Sequence, residues 1–171
     1  VFDYSEIKTI NSVFEPLGQN LGVAKAVTRR NLGKANYEIL NGQGINRQII
    51  FYRQRLGKIS LLSQLHFYKD TLIYVKSSFD YLSYGNELRQ KVLLTIAEKY
   101  NIDLIEMSKI ESVFADIESN RMRISDNGRI NIEYFFGDDF LVKDLDLKAN
   151  LANHRRKESI VYQADLISAM V

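Results

Sequence analysis

Cysteine is absent from the sequence, and that single absence removes disulfides, thiolate nucleophiles, thiolate-bound zinc and cysteine-ligated iron–sulfur clusters together. Histidine is scarce: His66 and His154 are the only two, and neither lies in an acid–histidine spacing suited to zinc. No serine stands in the glycine-flanked elbow that hydrolases use. Gly42 and Gly44 lack both the third glycine and the following helix of a dinucleotide site, so a turn is their expected use. No window reaches the roughly 18 uninterrupted apolar residues of a membrane helix. Val1 is followed by no basic-then-apolar leader, so no uncleaved signal peptide is read there; the compartment is left open, with a soluble, cytoplasmic protein favoured. No catalytic set, metal site or cofactor is expected.

What is present is an ordinary globular composition. The 171 residues, 46% apolar and 26% charged, suffice for one domain that buries roughly two-thirds of its unfolded surface. Pro16 is the only proline, and no repeat, low-complexity tract or linker divides the chain, so residues 1–171 read as a single domain. The net charge of +2 is too small to argue for a nucleic-acid partner, but its distribution is uneven. Residues 29–58 carry seven cations (Arg29, Arg30, Lys34, Arg47, Arg53, Arg55 and Lys58) against one acid, Glu38. Residues 103–118 and 133–146 each set five acids against one lysine. A dipolar molecule is expected, with fields that steer encounters.

Periodicity supplies the elements. Ile7, Ile10, Val13, Phe14 and Leu17 fit a helix capped by Ser5 and ended by Pro16. A second short helix is expected from Asn20 to Leu32, stopped at Gly33, and then a strand over Tyr37 to Leu40. Residues 47–79 read as three antiparallel strands, with Gly57 and Lys58 as the first turn. Alternation puts Ile50, Tyr52, Leu56, Ile59, Leu61, Leu65 and Phe67 on one face. A three-residue turn at Lys69, Asp70 and Thr71 then brings Ile73, Val75 and Phe79 to that face, whereas a two-residue turn would turn Leu72 and Tyr74 inward.

Helical spacing returns at Leu88, Val92, Ile96 and Tyr100, with Asn101 as the stop. Ser108 and Glu111 have capping-box spacing before Ile110, Val113, Phe114 and Ile117, which predicts another helix. Asp126, Asn127 and Gly128 signal a hairpin joining Met122 and Ile124 to Ile130, Ile132, Tyr134 and Phe136. Leu141, Leu145 and Leu147 fit a strand, and a helix from about Leu151 to Met170 would carry His154, Arg155, Arg156 and Lys157 near its start. The expected fold is α+β: a mainly antiparallel sheet of five to seven strands with helices packed on one face.

Three constellations are weighed for function. The outward face of the central strands gathers Arg53, Arg55, Gln64, His66, Tyr68, Tyr74 and Lys76. Such a set suits an acidic peptide, or single-stranded nucleic acid whose bases stack on rings, but it is also what the solvent face of any antiparallel sheet carries. Residues 17–25 resemble the turn of the helix-turn-helix in bacterial repressors. Thr28 and Asn31, however, stand where that motif needs apolar packing, and Pro16 interrupts its first helix. Asp144 and Asp146, with Lys148 beside them and Asp138 or Asp139 as the further acid, could hold Mg²⁺ and orient water as in restriction-type nucleases, although charges at a strand edge explain them more simply. The leading expectation is a non-enzymatic binding or adaptor module. It would meet a protein partner, or a second copy of itself, through the sheet face or through Ile160, Val161, Ala164, Ile167 and Met170 of the last helix. Nucleic-acid binding is the rival, and a metal-dependent nuclease the third reading.

Overall fold

The structure is a computed structural model that describes residues 7–39, 47–56, 59–79, 85–107 and 111–137, with the side chains of residues 55, 56, 59 and 60 left out of the description. Eight strands form one mixed sheet: β1 (Lys8–Thr9), β2 (Tyr37–Ile39), β3 (Arg47–Leu56), β4 (Ile59–Tyr68), β5 (Thr71–Phe79), β6 (Glu111–Ala115), β7 (Arg121–Asp126) and β8 (Ile130–Phe135). Among the described residues three α-helices accompany them: α1 (Lys25–Leu32), α2 (Asn86–Tyr100) and α3 (Leu104–Met107). None of the described helices is long and apolar enough to cross a membrane.

The strand order is β1-β6-β7-β8-β5-β4-β3-β2, and only the β1–β6 pair is parallel. Two antiparallel meanders, one built of β2 to β5 and the other of β6 to β8, join where β5 lies beside β8. α2 makes the connection from one meander to the other. Its apolar stripe, Leu88, Val92, Leu93, Ile96, Ala97 and Tyr100, is buried in the same cluster as Leu65, Val75, Ile132 and Met122 from four strands. Asn101 ends it in the left-handed conformation, as the sequence predicts.

The strand count exceeds the expected five to seven because two segments that read as helical run beside the sheet instead. From residue 7 onward the expected first helix is not formed: after β1 the chain is irregular as far as a short 3-10 turn at Pro16–Gly18, and the expected cap Ser5 lies outside the described residues. Ile10 and Phe14 are buried as expected, but the backbone reaches them by pairing with the second meander. The Ile10 N–H donates to the carbonyl of Ala115, and the Phe14 N–H to the Asp116 carboxylate at 2.9 Å. The segment after Ser108 is the strand β6. Ser112, Val113 and Phe114 are all buried there, so the strand is covered on both faces and its apolar run carries no alternation to separate it from a helix.

Helix cover is also thinner than expected. α2 supplies six buried residues, whereas α1 buries only Thr28 and α3 only Met107. α1 starts at Lys25 rather than at Asn20, and Gly33 ends it at φ 77°. With only a 3-10 turn before it, no helix-turn-helix is formed. The expected strand around Leu141 and helix from Leu151 to Met170 lie outside the described residues, as do Gly42 and Gly44.

The central meander pairs Leu56 with Ile59, as alternation predicts, but the second turn does not have three residues. Tyr68 pairs with Thr71, leaving Lys69 and Asp70 as a two-residue turn at φ 47° and 66°. Left-handed conformations at both central residues match the twist of a hairpin, and Asp tolerates them better than most residues. The slip this turn would cause is cancelled three residues later. His66 pairs with Tyr74 but Phe67 pairs with Leu72, so Ile73 is the extra residue of a β-bulge. Leu72, Val75 and Phe79 therefore all enter the main core, while Ile73 turns away and is buried with Tyr68 and Phe136.

The second meander is tied to the amino-terminal segment by Asp116. Its buried carboxylate accepts the N–H groups of Phe14, Glu118 and Asn120 and the Asn120 side-chain amide, all within 3.0 Å. Asn120 in turn accepts the Gly137 N–H at 2.8 Å, and a Cβ at Gly137 would lie 2.6 Å from the Ser119 carbonyl. Asp116→Ala leaves four donors without an acceptor, so chemical denaturation should show a loss of about 2–4 kcal/mol. Gly137→Ala should cost about 1–3 kcal/mol through the clash.

Candidate functional site

The sheet has a second face, opposite the main core, and its residues fall into cross-strand rows. One row runs Val113, Arg123, Glu133, Lys76, Gln64, Phe51 and Tyr37 across six neighbouring pairs. The next runs Ala115, Arg121, Phe135, Tyr74, His66, Ile49 and Ile39. The bulge at Ile73 is what keeps Tyr74 and Lys76 on this side.

Glu133 is the hub. Arg123 grips it with two parallel hydrogen bonds, Nε to Oε1 and Nη2 to Oε2, each 3.0 Å. A bidentate pair of this kind fixes both side chains in the plane of the fork. The Tyr74 hydroxyl donates to Oε2 at 2.5 Å. Burial and the adjacent Glu133 carboxylate together push the Tyr74 hydroxyl far above the usual phenol range, so it stays a donor at every working pH. Rings complete the lattice: Tyr74 meets His66 edge-on at 4.8 Å and Phe135 at 5.1 Å, and the Arg123 guanidinium lies 5.3 Å from the Phe135 ring centre.

His66 is only 7% exposed. Its Nε2 faces Gln64 Oε1 at 3.3 Å, and its Nδ1 has no hydrogen-bond partner among the described residues. Burial, reinforced by the positive charges of Arg47 and Lys76, holds the imidazole well below the usual histidine range. It is therefore neutral at physiological pH, a ring that packs more than it titrates.

Of the seven residues singled out from sequence, the structure brings together Gln64, His66, Tyr74 and Lys76. Arg53 sits a row further along, exposed, paired across the ladder with Leu62, with its N–H on Asn36 Oδ1 at 2.8 Å. Tyr68 lies at the other end, buried against Ile73. Arg55 is in β3, but its side chain is outside the described residues. The face is thus enclosed at Phe51, Val113, His66 and Tyr68, half-buried along Gln64, Tyr74, Lys76, Arg123 and Glu133, and exposed at Arg53 and Glu111. Arg123, Glu133 and Phe135 were missed by sequence reasoning. Alternation in β7 and β8 marks them as outward, but nothing local says that β8 lies against β5.

Lys76 makes no hydrogen bond or ion pair among the described residues, although it stands between Gln64 and Glu133. No group of three or more His, Asp or Glu side chains among the described residues could hold a metal. The acids weighed for nuclease chemistry, Asp138, Asp139, Asp144 and Asp146, with Lys148, lie outside the described residues. No family model matches the chain, and no curated protein or solved structure matches it either.

Burial of a neutral His66 sets a pH dependence. The unfolded chain binds a proton near pH 6.5 that the folded chain refuses, so stability rises with pH between the lowered folded value and about 6.5. It is lost as pH falls below that point, with a slope of up to about 1.4 kcal/mol per pH unit. Urea unfolding at about pH 7.5 and about pH 5.5 should show a larger acid-side loss for the native chain than for His66→Gln, which has no ring to protonate. Equal losses would mean that His66 charges freely in the folded state.

Proposed function

We propose that this chain is a non-enzymatic binding module whose polar-aromatic sheet face takes an acidic segment of a protein partner. Lys76 is the observation that carries the reading. Glu133 is already engaged by Arg123 and Tyr74, so the lysine beside it offers an ammonium group on a platform that neighbouring side chains hold in place. The wider charge on this face supports the same ligand class. Its described side chains include the cations Arg47, Arg53, Lys76, Arg121 and Arg123 against the acids Glu111 and Glu133. A cation-rich surface with flat rings speeds encounter with acidic segments and gives them orientation. Half-burial favours a narrow extended segment over a broad globular surface, because among the described residues the accessible cations Arg53, Lys76 and Arg123 form a strip beside half-buried and enclosed neighbours.

Nucleic acid is the rival occupant, and one titration separates the two. A labelled Asp/Glu-rich peptide, its Asn/Gln counterpart and an oligothymidylate are each titrated with the full chain at low and raised salt. The acidic peptide is expected to bind best, to weaken as salt rises, and to lose about tenfold in affinity with Lys76→Glu. Equal binding of the neutral peptide, or an unchanged affinity in the variant, would sink the reading. A preference for the oligonucleotide with a steep salt slope would transfer the face to the rival.

A further inference from the structure

We propose that the chain associates with a second copy of itself, antiparallel and about a two-fold axis, through the outward side of α2. The six buried residues of α2 occupy one side of the helix. On the opposite side Glu87, Lys91, Leu94, Glu98 and Asn101 fall at intervals of four, three, four and three, which is one continuous stripe. All five are exposed, and Leu94 is 46% exposed at the centre of a four-turn helix. Leu104 of α3, 44% exposed, shares with Leu94 a groove of about 570 Å³. Leu94 and Leu104 thus make a small apolar patch flanked by the charges of the stripe.

The charges say which partner fits. Lys91 and Glu98 have no hydrogen bond or ion pair among the described residues for their side chains. Seven residues separate them, two helical turns or about 10 Å, too far for them to pair with each other on one helix. Antiparallel pairing centred between Leu94 and Thr95 sets position 91 of one helix opposite position 98 of the other. The operation repeats on the other side of the axis, as an isologous interface requires. Two Lys91–Glu98 pairs then flank a Leu94–Leu94 contact, with Leu104 of each copy beside it. The centre of the charge pattern lies within two residues of the centre of the helix, so the two helices overlap along their whole length. A parallel arrangement would instead set lysine against lysine and glutamate against glutamate. One four-turn helix pair with a flanking leucine is at the small end of specific interfaces, so a reversible dimer is expected rather than a permanent one.

Sedimentation of the full chain over a concentration series up to the millimolar range tests this. The native chain is expected to show a monomer–dimer equilibrium. Lys91→Glu and Glu98→Lys, each alone, should weaken it by about tenfold or more, because each sets like charges across the axis. An equimolar mixture of the two variants restores both opposite-charge pairs and should dimerise at least as well as the native chain. That rescue cannot come from misfolded protein, so it separates an interface from a folding defect. A native chain that stays monomeric throughout, or a mixture no stronger than the separate variants, would overturn the proposal.

Discussion

The extra residue at Ile73 governs more of this molecule than any single contact, because β5 changes partners there. Before it, the backbone of residues 70–72 bonds to the segment at 22–25: the Lys25 N–H reaches the Asp70 carbonyl, the Gly22 N–H the Leu72 carbonyl, and the Leu72 N–H the Val23 carbonyl. Beyond it, residues 74–79 pair with β8, and the Phe136 N–H closes on the Ile73 carbonyl itself. One strand thus stitches the first meander, the loop before α1 and the second meander together. A bulge suits that position because it adds local twist and one residue of slack where the two partners are not in common register.

The same residue reconciles two demands that conflict in a regular strand. A two-residue turn at Lys69 and Asp70 closes the hairpin tightly, and closing it that way would reverse every later side chain of β5. Lys76 would then enter the core beside Leu65 and Ile132, where an unpaired ammonium is costly. Displacing Ile73 outward restores Val75 and Phe79 to the core and delivers Tyr74 to Glu133 and His66. The displaced side chain is not wasted, since it packs with Tyr68, Tyr74 and Phe136 in a small cluster of its own.

How far the sequence could be read follows from which forces are local. α2 and the β7–β8 hairpin were legible because their periodicity, stop signal and Gly128 are contained within a few residues. β6 and the amino-terminal segment were not, because their conformations are decided by partners a hundred residues away: Phe14 is held by Asp116, and β1 exists only beside β6. The site shows the same division. Four of its members were visible as outward positions of β4 and β5. The group that organises them, Glu133, came from the far meander, and only the β5–β8 pairing puts it in reach. The charge map divides likewise. The basic stretch at 29–58 looks uniform in sequence, yet its single acid is its anchor point. Lys25 reaches Glu38 and Gln48 at 2.5 and 2.6 Å, and Arg29 also bonds Glu38. Lys25 and Arg29 accordingly hold the Glu38 carboxyl below the ordinary range.

Charge pairing then divides the described charges into those that fasten the fold and those that do not. Five of the described carboxylates are committed: Asp116 to backbone, Glu133 to Arg123 and Tyr74, Glu38 to α1, Glu106 to Lys8, and Asp126 to Arg89 at 2.5 Å. Four of these commitments join two elements, and Asp116 ties down the amino-terminal segment, so these acids serve to fasten the fold. Lys76 on the sheet, and Lys91 and Glu98 on α2, are left out of this scheme. They lie on opposite sides of the molecule, the sheet face turned away from the core and the helix stripe turned away from the sheet. If both proposals hold, association through α2 would leave the sheet face of each copy available, and a dimer would present two such faces to one partner. Two weak sites on a common frame bind a repetitive acidic segment far more tightly than either does alone, provided the linker between its epitopes spans them. If both proposals hold, a modest cationic strip and a modest helix interface would each be marginal alone but would act together in the dimer.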